Sequence, residues 1–403
     1  MKKSIQLYLH IPFCEKKCNY CDFLSFEADE RTQWEYADAL MREIYYYGSR
    51  MKDYEVSTIF IGGGTPSCLD ERKMLQIMDA LHRSFYIRTD AEITIECNPG
   101  TLTAQKLHHY HKAGINRISI GLQSVDNEEL QELGRIHTYE QFLQTFAMAR
   151  EVGFENINVD LISGIPYQTT EKFLNTLKKV VRLQPEHISA YSLIVEEGTP
   201  FFERYEGDRQ RQEAGLDTEV LPTEEETYAI LKTTQEYLKE AGYEQYEISN
   251  FARPGYECRH NIGYWTREYY LGMGLGASSM MENVRFSNET DLHKYMESTK
   301  NIQNKDFKQE EPRPVIATTM QKEAKRLLKP TQMEEFMFLG LRMNKGISKK
   351  KFEACFGMTV EAVYKDVLNE LSEKGLLEVS EETIVLTERG MDVANYVMSQ
   401  FLV

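Results

Sequence analysis

Basic residues are outnumbered in this chain, long apolar runs are missing, and cysteines are few. The 403 residues carry 47 Lys and Arg against 63 Asp and Glu, a formal net charge of −16. A nucleic-acid binder presents a basic face to phosphates, so this balance argues against that role and against docking on anionic lipid. No uninterrupted apolar stretch is long enough to span a bilayer. Lys2 and Lys3 precede an apolar run that is short, alternates with polar residues and lacks a cleavage site, so it reads as a strand rather than a secretion signal. The cysteines number seven, an odd count without the spacings of a disulfide framework. The expected compartment is therefore the cytoplasm, where clustered thiols bind metal or do redox work. The balance that remains, 41% hydrophobic and 27% charged, suffices for a large core and at least one smaller domain.

Six strand-like runs occupy the first half: "IQLYLHI", "STIFIGG", "ITIECNP", "RISIGLQS", "NINVDLISG" and "HISAYSLIVE". Each is rich in β-branched or aromatic residues and closes on Gly, Pro, Asn or Ser. Amphipathic segments lie between them, around Trp34 to Tyr47 and in "DERKMLQIMDALHRSF", "TAQKLHHYHKAG", "TYEQFLQTFAMAREVG" and "TEKFLNTLKKVVRL". Such alternation predicts an α/β fold of parallel units with right-handed crossovers, a partial TIM-like (β/α)6 barrel over residues 1–205. Periodicity alone admits a flat sheet as well. Residues 206–298 form a helical and then Gly- and aromatic-rich region, with a helix start at Thr223. Residues 299–331 read as a polar connection containing Pro312 and Pro314. Residues 332–403 contain short helices and the hairpin "GLLEVSEETIVLTERG", a small winged-helix-like domain whose acidity favours a structural or partner role over DNA binding.

Three of the cysteines, Cys14, Cys18 and Cys21, fall within eight positions directly after the first strand. Iron–sulfur clusters are usually held by four cysteines. A C-x3-C-x2-C loop with no equal fourth thiol leaves one iron open to a small molecule. The competing readings are a zinc site completed by a distant ligand, or ordinary buried thiols. "GGGTP", Gly62 to Pro66, ends the second strand, where glycines let backbone approach a ligand; a tight turn would read the same. Glu96, Gln123 and Asp160 end the next three strands and Arg135 follows Gln123, so all four belong to the face where barrel strands place functional groups. In "RHNIGYW", His260 is of heme-ligand type, Tyr264 and Trp265 offer flat aromatic surface, and Cys258 is an alternative ligand; a core histidine beside packed aromatics is the competing reading. His108, His109 and His111 fall on different helix faces and read as solvated. Gly272, Gly274 and Gly276 form only a weak glycine pattern, and Cys68, Cys97 and Cys355 carry no assigned role.

The cysteine loop resembles that of the radical S-adenosylmethionine (SAM) superfamily. Together with "IGGGTPS", "ECNPGT", "GINRISIGLQS", "LGRIHT", "VDLISGIPYQT" and "HNIGYW", it resembles the HemN/HemW group, the coproporphyrinogen dehydrogenase-like proteins. The resemblance implies a 4Fe-4S cluster on Cys14, Cys18 and Cys21, with one-electron cleavage of SAM at the open iron. It also implies SAM contacts at Tyr8, Gly64 and Glu96, and a second SAM held by Tyr20, Thr65, Pro66, Gln123, Arg135 and Asp160. Within the group, the oxidases carry a further cysteine where this chain has Phe23, and a longer N-terminal extension. Both departures match the heme-chaperone branch, whose H-N-x-x-Y-W motif is associated with heme and whose corresponding region caps the barrel. The expected function is therefore binding of heme at His260 and its delivery to heme-acceptor, including respiratory, proteins. The alternatives are oxygen-independent coproporphyrinogen III oxidation and a non-radical iron–sulfur or zinc module, so enzymatic turnover stays open at this point. The resemblance further implies a flavodoxin or ferredoxin as electron donor, for which Lys16 and Lys17 offer a local basic patch. A homodimer and peripheral membrane contact are implied by resemblance alone.

Overall fold

The structure, a computed structural model, describes residues 2–302 and 320–402. Six parallel strands lie side by side in chain order: β1 (Lys3–Ile11), β2 (Tyr54–Gly63), β3 (Ile87–Cys97), β4 (Arg117–Gln123), β5 (Ile157–Ser163) and β6 (His187–Ser192). The first five crossovers carry α1 (Glu30–Gly48), α2 (Glu71–Ser84), α3 (Ala104–Lys112), α4 (Asn127–Glu132) with α5 (Tyr139–Val152), and α6 (Thr170–Val181). Side chains that prefer turns start these helices. Asp29, Thr103 and Thr169 each accept a backbone N–H from the first turn, and Thr138 with Gln141 forms a reciprocal capping box. After β6 come α7 (Pro200–Glu213) and α8 (Glu224–Glu240), the latter capped by Thr223 as expected.

Strict alternation along the strands divides the sheet into two unlike faces. Ile5, Leu7 and Leu9 of β1, Ile59 and Ile61 of β2, Ile93 and Ile95 of β3, and Ile118 and Ile120 of β4 join the helices in one apolar core. The intervening residues are mostly polar, among them Gln6, Thr58, Glu92, Thr94, Glu96, Arg117, Ser119, Asn158, Asp160 and His187, with Tyr8 and Phe60 as aromatic members of the same face. A parallel sheet covered on both faces is ordinarily apolar on both. A buried polar face on the inside of the curl therefore marks the lumen as a place for polar contacts.

Both edges are extended by strands that the sequence did not reveal. On one side β8 (Asn250–Ala252) adds antiparallel to β6, and β7 (Glu244–Gln245) pairs antiparallel to β8 at the edge. On the other, after α9 (Arg259–Trp265), β9 (Tyr270–Met273) pairs parallel to β1, followed by antiparallel β10 (Ser278–Met281), β11 (Val284–Asn288) and β12 (Gln321–Arg326). The edge strands β12 and β7 are not paired with each other, so this twelve-stranded sheet is an open, partial barrel. Buried Glu43 of α1 fastens this extension to the barrel, accepting from Gly274 N at 2.8 Å, Asn288 Nδ2 at 2.7 Å and, on α10 (Leu292–Ile302), the Tyr295 hydroxyl at 2.6 Å. Pro312 and Pro314, and with them most of the expected connection, lie outside the described residues.

The C-terminal part has a core of its own, centred on Met337, Phe352, Tyr364, Ile384, Val397 and Phe401. α11 (Lys329–Gly340), β13 (Ile347–Ser348), α12 (Lys349–Phe356), α13 (Val360–Glu373), β14 (Leu377–Val379) and β15 (Thr383–Leu386) follow the order of a winged helix, with sheet order β13-β15-β14. α14 (Glu388–Asp392) and α15 (Ala394–Ser399) close it. It docks on the barrel through Arg267 and Arg285, paired with Glu335 at 3.2 and 2.8 Å, and through Arg342 over the Trp265 ring at 4.3 Å.

Candidate functional site

The loop after β1 is pinned before its cysteines begin. Phe26 N donates to Pro12 O at 2.9 Å and Cys14 N to Phe26 O at 3.0 Å, closing the loop at its base. The "GGGTP" turn clamps the same point, with Gly64 N on Ile11 O and Thr65 N on Phe13 O. Gly64 has to be glycine for this approach, since a Cβ there would lie 2.7 Å from the Phe13 carbonyl oxygen. Farther along, Asn19 is held by the carbonyls of Glu132 and Leu133, and Tyr20 lies tilted against Phe201.

The three thiols are half-buried and free, and each has a separate polar partner. Thr65 Oγ1 donates to Cys14 Sγ at 3.6 Å, Arg135 Nη1 donates to Cys18 Sγ at 3.6 Å, and Cys21 Sγ lies 4.0 Å from Ser25 Oγ. Asn98 joins the first two. Its Nδ2 donates to Thr65 Oγ1 at 2.8 Å, and its Oδ1 accepts from Arg135 Nη2 at 2.6 Å. Burial raises the Cys21 thiol above its ordinary value. Among the described residues, no three His, Cys, Asp or Glu side chains gather as one metal ion would require. Three thiols on one loop are of the donor type that an iron–sulfur cluster takes. Cys14 also lines a cavity of about 550 Å³ together with Glu15, Glu27, Asp29 and Cys68.

Inside the lumen below this mouth, Glu96 accepts from Gly63 N at 3.1 Å. Burial, reinforced by the charge of Asp160, pushes Glu96 up to about 8. Asp160 is likewise raised by burial, although Ser119 Oγ and Asn158 Nδ2 both donate to it at 2.8 Å. Gln123 ends β4 with φ +73°, a left-handed conformation that a non-glycine residue holds only under local strain. Tyr8 donates to or accepts from His10 Nδ1 at 3.0 Å and stacks on Phe60. Pro66 opens the short turn that leads to Cys68.

His260 is brought to the lumen from the opposite mouth. Helix α9 closes the N-terminal end of the barrel, held by one residue from each of three neighbouring strands. Gln6 Nε2 donates to the carbonyls of Arg259 and His260, Thr58 Oγ1 lies 2.7 Å from His260 Nδ1, and Glu92 accepts from Cys258 Sγ, Arg259 N and His260 N. The other ring nitrogen, Nε2, lies 3.1 Å from the Tyr264 hydroxyl. Both nitrogens are thus engaged and the ring is buried, stacked on Phe60 at 5.2 Å. Burial pushes His260 down to about 3, so the imidazole is neutral, and it pushes the Cys258 thiol up to about 12, so that sulfur keeps its proton. Iron ligation through His260 Nε2 requires the Tyr264 hydroxyl to give way.

Residues 8–180 match the radical SAM superfamily and residues 327–393 the HemN C-terminal domain. The chain is 36% identical to the heme chaperone HemW of Bacillus subtilis (strain 168), over 98% of each protein. It belongs to the heme chaperone HemW family. The heme chaperone HemW of Escherichia coli (strain K12) is 34% identical over 99% of this chain and 98% of its own. Among solved structures, coproporphyrinogen III oxidase (HemN) from Escherichia coli, a radical SAM enzyme, covers 100% of this chain and 90% of its own with a TM-score of 0.81 and 25% identity.

For this HemW family member, reasoning from sequence missed three residues. Asn98 stands inside the quoted "ECNPGT" yet gave no sign of bridging Thr65 to Arg135. Cys68, left without a role, lines the cavity beside Cys14 and a smaller one beside Cys18. Glu92 looked like an ordinary strand residue, because its three partners lie more than 160 positions away. Phe23, two residues after Cys21, is 64% exposed.

Proposed function

We propose that this protein is a heme chaperone that binds heme and hands it to acceptor proteins. In this reading a 4Fe-4S cluster is held by Cys14, Cys18 and Cys21. SAM is held by Tyr8, Gly64 and Glu96, with Tyr20, Thr65, Pro66, Gln123, Arg135 and Asp160 available to a second molecule. When bound and reduced, the cluster would supply one electron to SAM, from a flavodoxin or ferredoxin donor. The observation that carries the reading is similarity along the whole chain to proteins named heme chaperones. Arg135 and Thr65 donate to the sulfurs of Cys18 and Cys14 and hold them in place. Below about pH 8 Glu96 carries its proton, so it can donate to as well as accept from a ribose hydroxyl. His260 is the proposed heme ligand, its neutral imidazole suited to iron.

Anaerobic reconstitution, heme titration, and transfer to an apo-acceptor with and without SAM test this function. His260→Ala is expected to weaken heme binding without removing iron; unchanged affinity would reassign the ligand. A second reading, oxidative decarboxylation of coproporphyrinogen III, draws on the likeness in fold to the oxidase. Phe23 in place of the extra cysteine speaks against it, and absence of product under reducing conditions with SAM would rule it out.

A further inference from the structure

We infer that the base of the barrel lumen contains a carboxylate-binding site built on Arg117 and Thr94. Arg117, the first residue of β4, is 2% exposed, yet its Nε has no hydrogen-bond partner. Thr94 on β3 is its register partner, is fully buried, and its Oγ1 has no partner either. Two neighbouring strands thus aim two orphaned polar groups into the same interior. The carboxylates whose charge reaches Arg117 are Glu92, Asp160 and Glu96, and all three are committed elsewhere, Glu96 to Gly63 N. Glu92 accepts from Cys258 Sγ, Arg259 N and His260 N, and Asp160 from Ser119 and Asn158.

A buried guanidinium without a partner is strongly disfavoured, and folds normally pair it or replace it with apolar packing. Barrels of this type ordinarily fill their interior with Val, Ile and Leu. Here the inward positions beside Arg117 are mixed: the small Thr94 and Ser119, with Phe60 as the next register neighbour of Thr94. A guanidinium edge matches the two oxygens of a carboxylate, and the Thr94 hydroxyl supplies one further donor.

The neighbourhood indicates where such a group comes from. Phe60 is the register partner of Thr94 on its other side and stacks on His260. A tetrapyrrole whose iron meets His260 therefore carries its propionate arms within this region. This assignment of source rests on the heme reading above; the anion site itself does not.

Two measurements separate the possibilities. In thermal melts, sodium propionate is expected to stabilise the wild-type protein more than sodium chloride at the same concentration. Arg117→Met removes that difference and Arg117→Lys keeps part of it. In titrations, the dimethyl ester of heme is expected to bind the wild-type protein at least tenfold more weakly than heme, while Arg117→Met binds both alike. A propionate effect without discrimination against the ester assigns the site to a small free carboxylate. Neither effect in the wild-type protein overturns the site, whether or not Arg117→Met folds. A wild-type protein that binds no heme at all removes the proposed function but leaves the propionate test to decide this site.

Discussion

Glu96→Gln turns the raised carboxyl of the lumen into a measurable stability change. Glu96 goes from an ordinary 4.5 to about 8, chiefly through burial, with Asp160 adding repulsion. A carboxyl that holds its proton more tightly when folded favours the fold below the unfolded value, and that advantage disappears as pH rises through the folded value. At 1.36 kcal/mol per pH unit the full span is worth roughly 5 kcal/mol, and the part between about pH 5.5 and 8 roughly 3 kcal/mol. Glutamine keeps the shape and can still accept from Gly63 N, but it has no proton to lose. Urea unfolding of both proteins under anaerobic conditions should therefore give a stability difference, variant minus wild type, that grows by about 3 kcal/mol from about pH 5.5 to 8. Glu43, pushed by burial up to about 7, titrates in both proteins and cancels in that difference. Parallel curves across this window would refute the claim that Glu96 is held protonated by its surroundings.

Arg135→Met removes the donor to Cys18 and the link to Asn98, and is expected to lower cluster affinity roughly tenfold or more, read as iron and sulfide retained per chain. Glu92→Ala leaves two backbone N–H groups of α9 without an acceptor; a loss of about 2–4 kcal/mol and faster amide exchange at residues 259 and 260 are expected. Gln123→Gly relieves the left-handed backbone at the end of β4. Unfolding measurements should show a gain of about 1 kcal/mol, alongside weaker SAM binding if the Gln123 side chain contacts it.

The six strands and the helices between them were legible because each carries a local signal. In "IQLYLHI" and "RISIGLQS" apolar residues alternate, and Thr138 and Thr223 announce the helices that follow them. The edge strands β9 to β12 were not legible, since short segments such as Tyr270–Met273 become strands only by pairing with β1, more than 250 residues away. The cysteine loop was visible from its spacing alone. Its supports were not, because Asn98 and Arg135 meet Thr65 and Cys18 only once β2, β3 and β4 lie side by side. The place of "RHNIGYW" was hidden for the same reason: Gln6, Thr58 and Glu92 carry no mark of a common partner until their strands are in register. The left-handed Gln123 has no sequence signature either, since glycine would be the expected choice there.

The docking of α9 at the end of the barrel remote from the cysteines separates two mechanical units. Glu92, which grips α9, and Glu96, beneath the cysteine mouth, are four residues apart along one strand, roughly 13 Å at the usual rise. Releasing α9 at Glu92 therefore leaves the Gly63–Glu96 contact in place, so the lower end of the lumen can loosen while the strand ends around the thiols stay assembled.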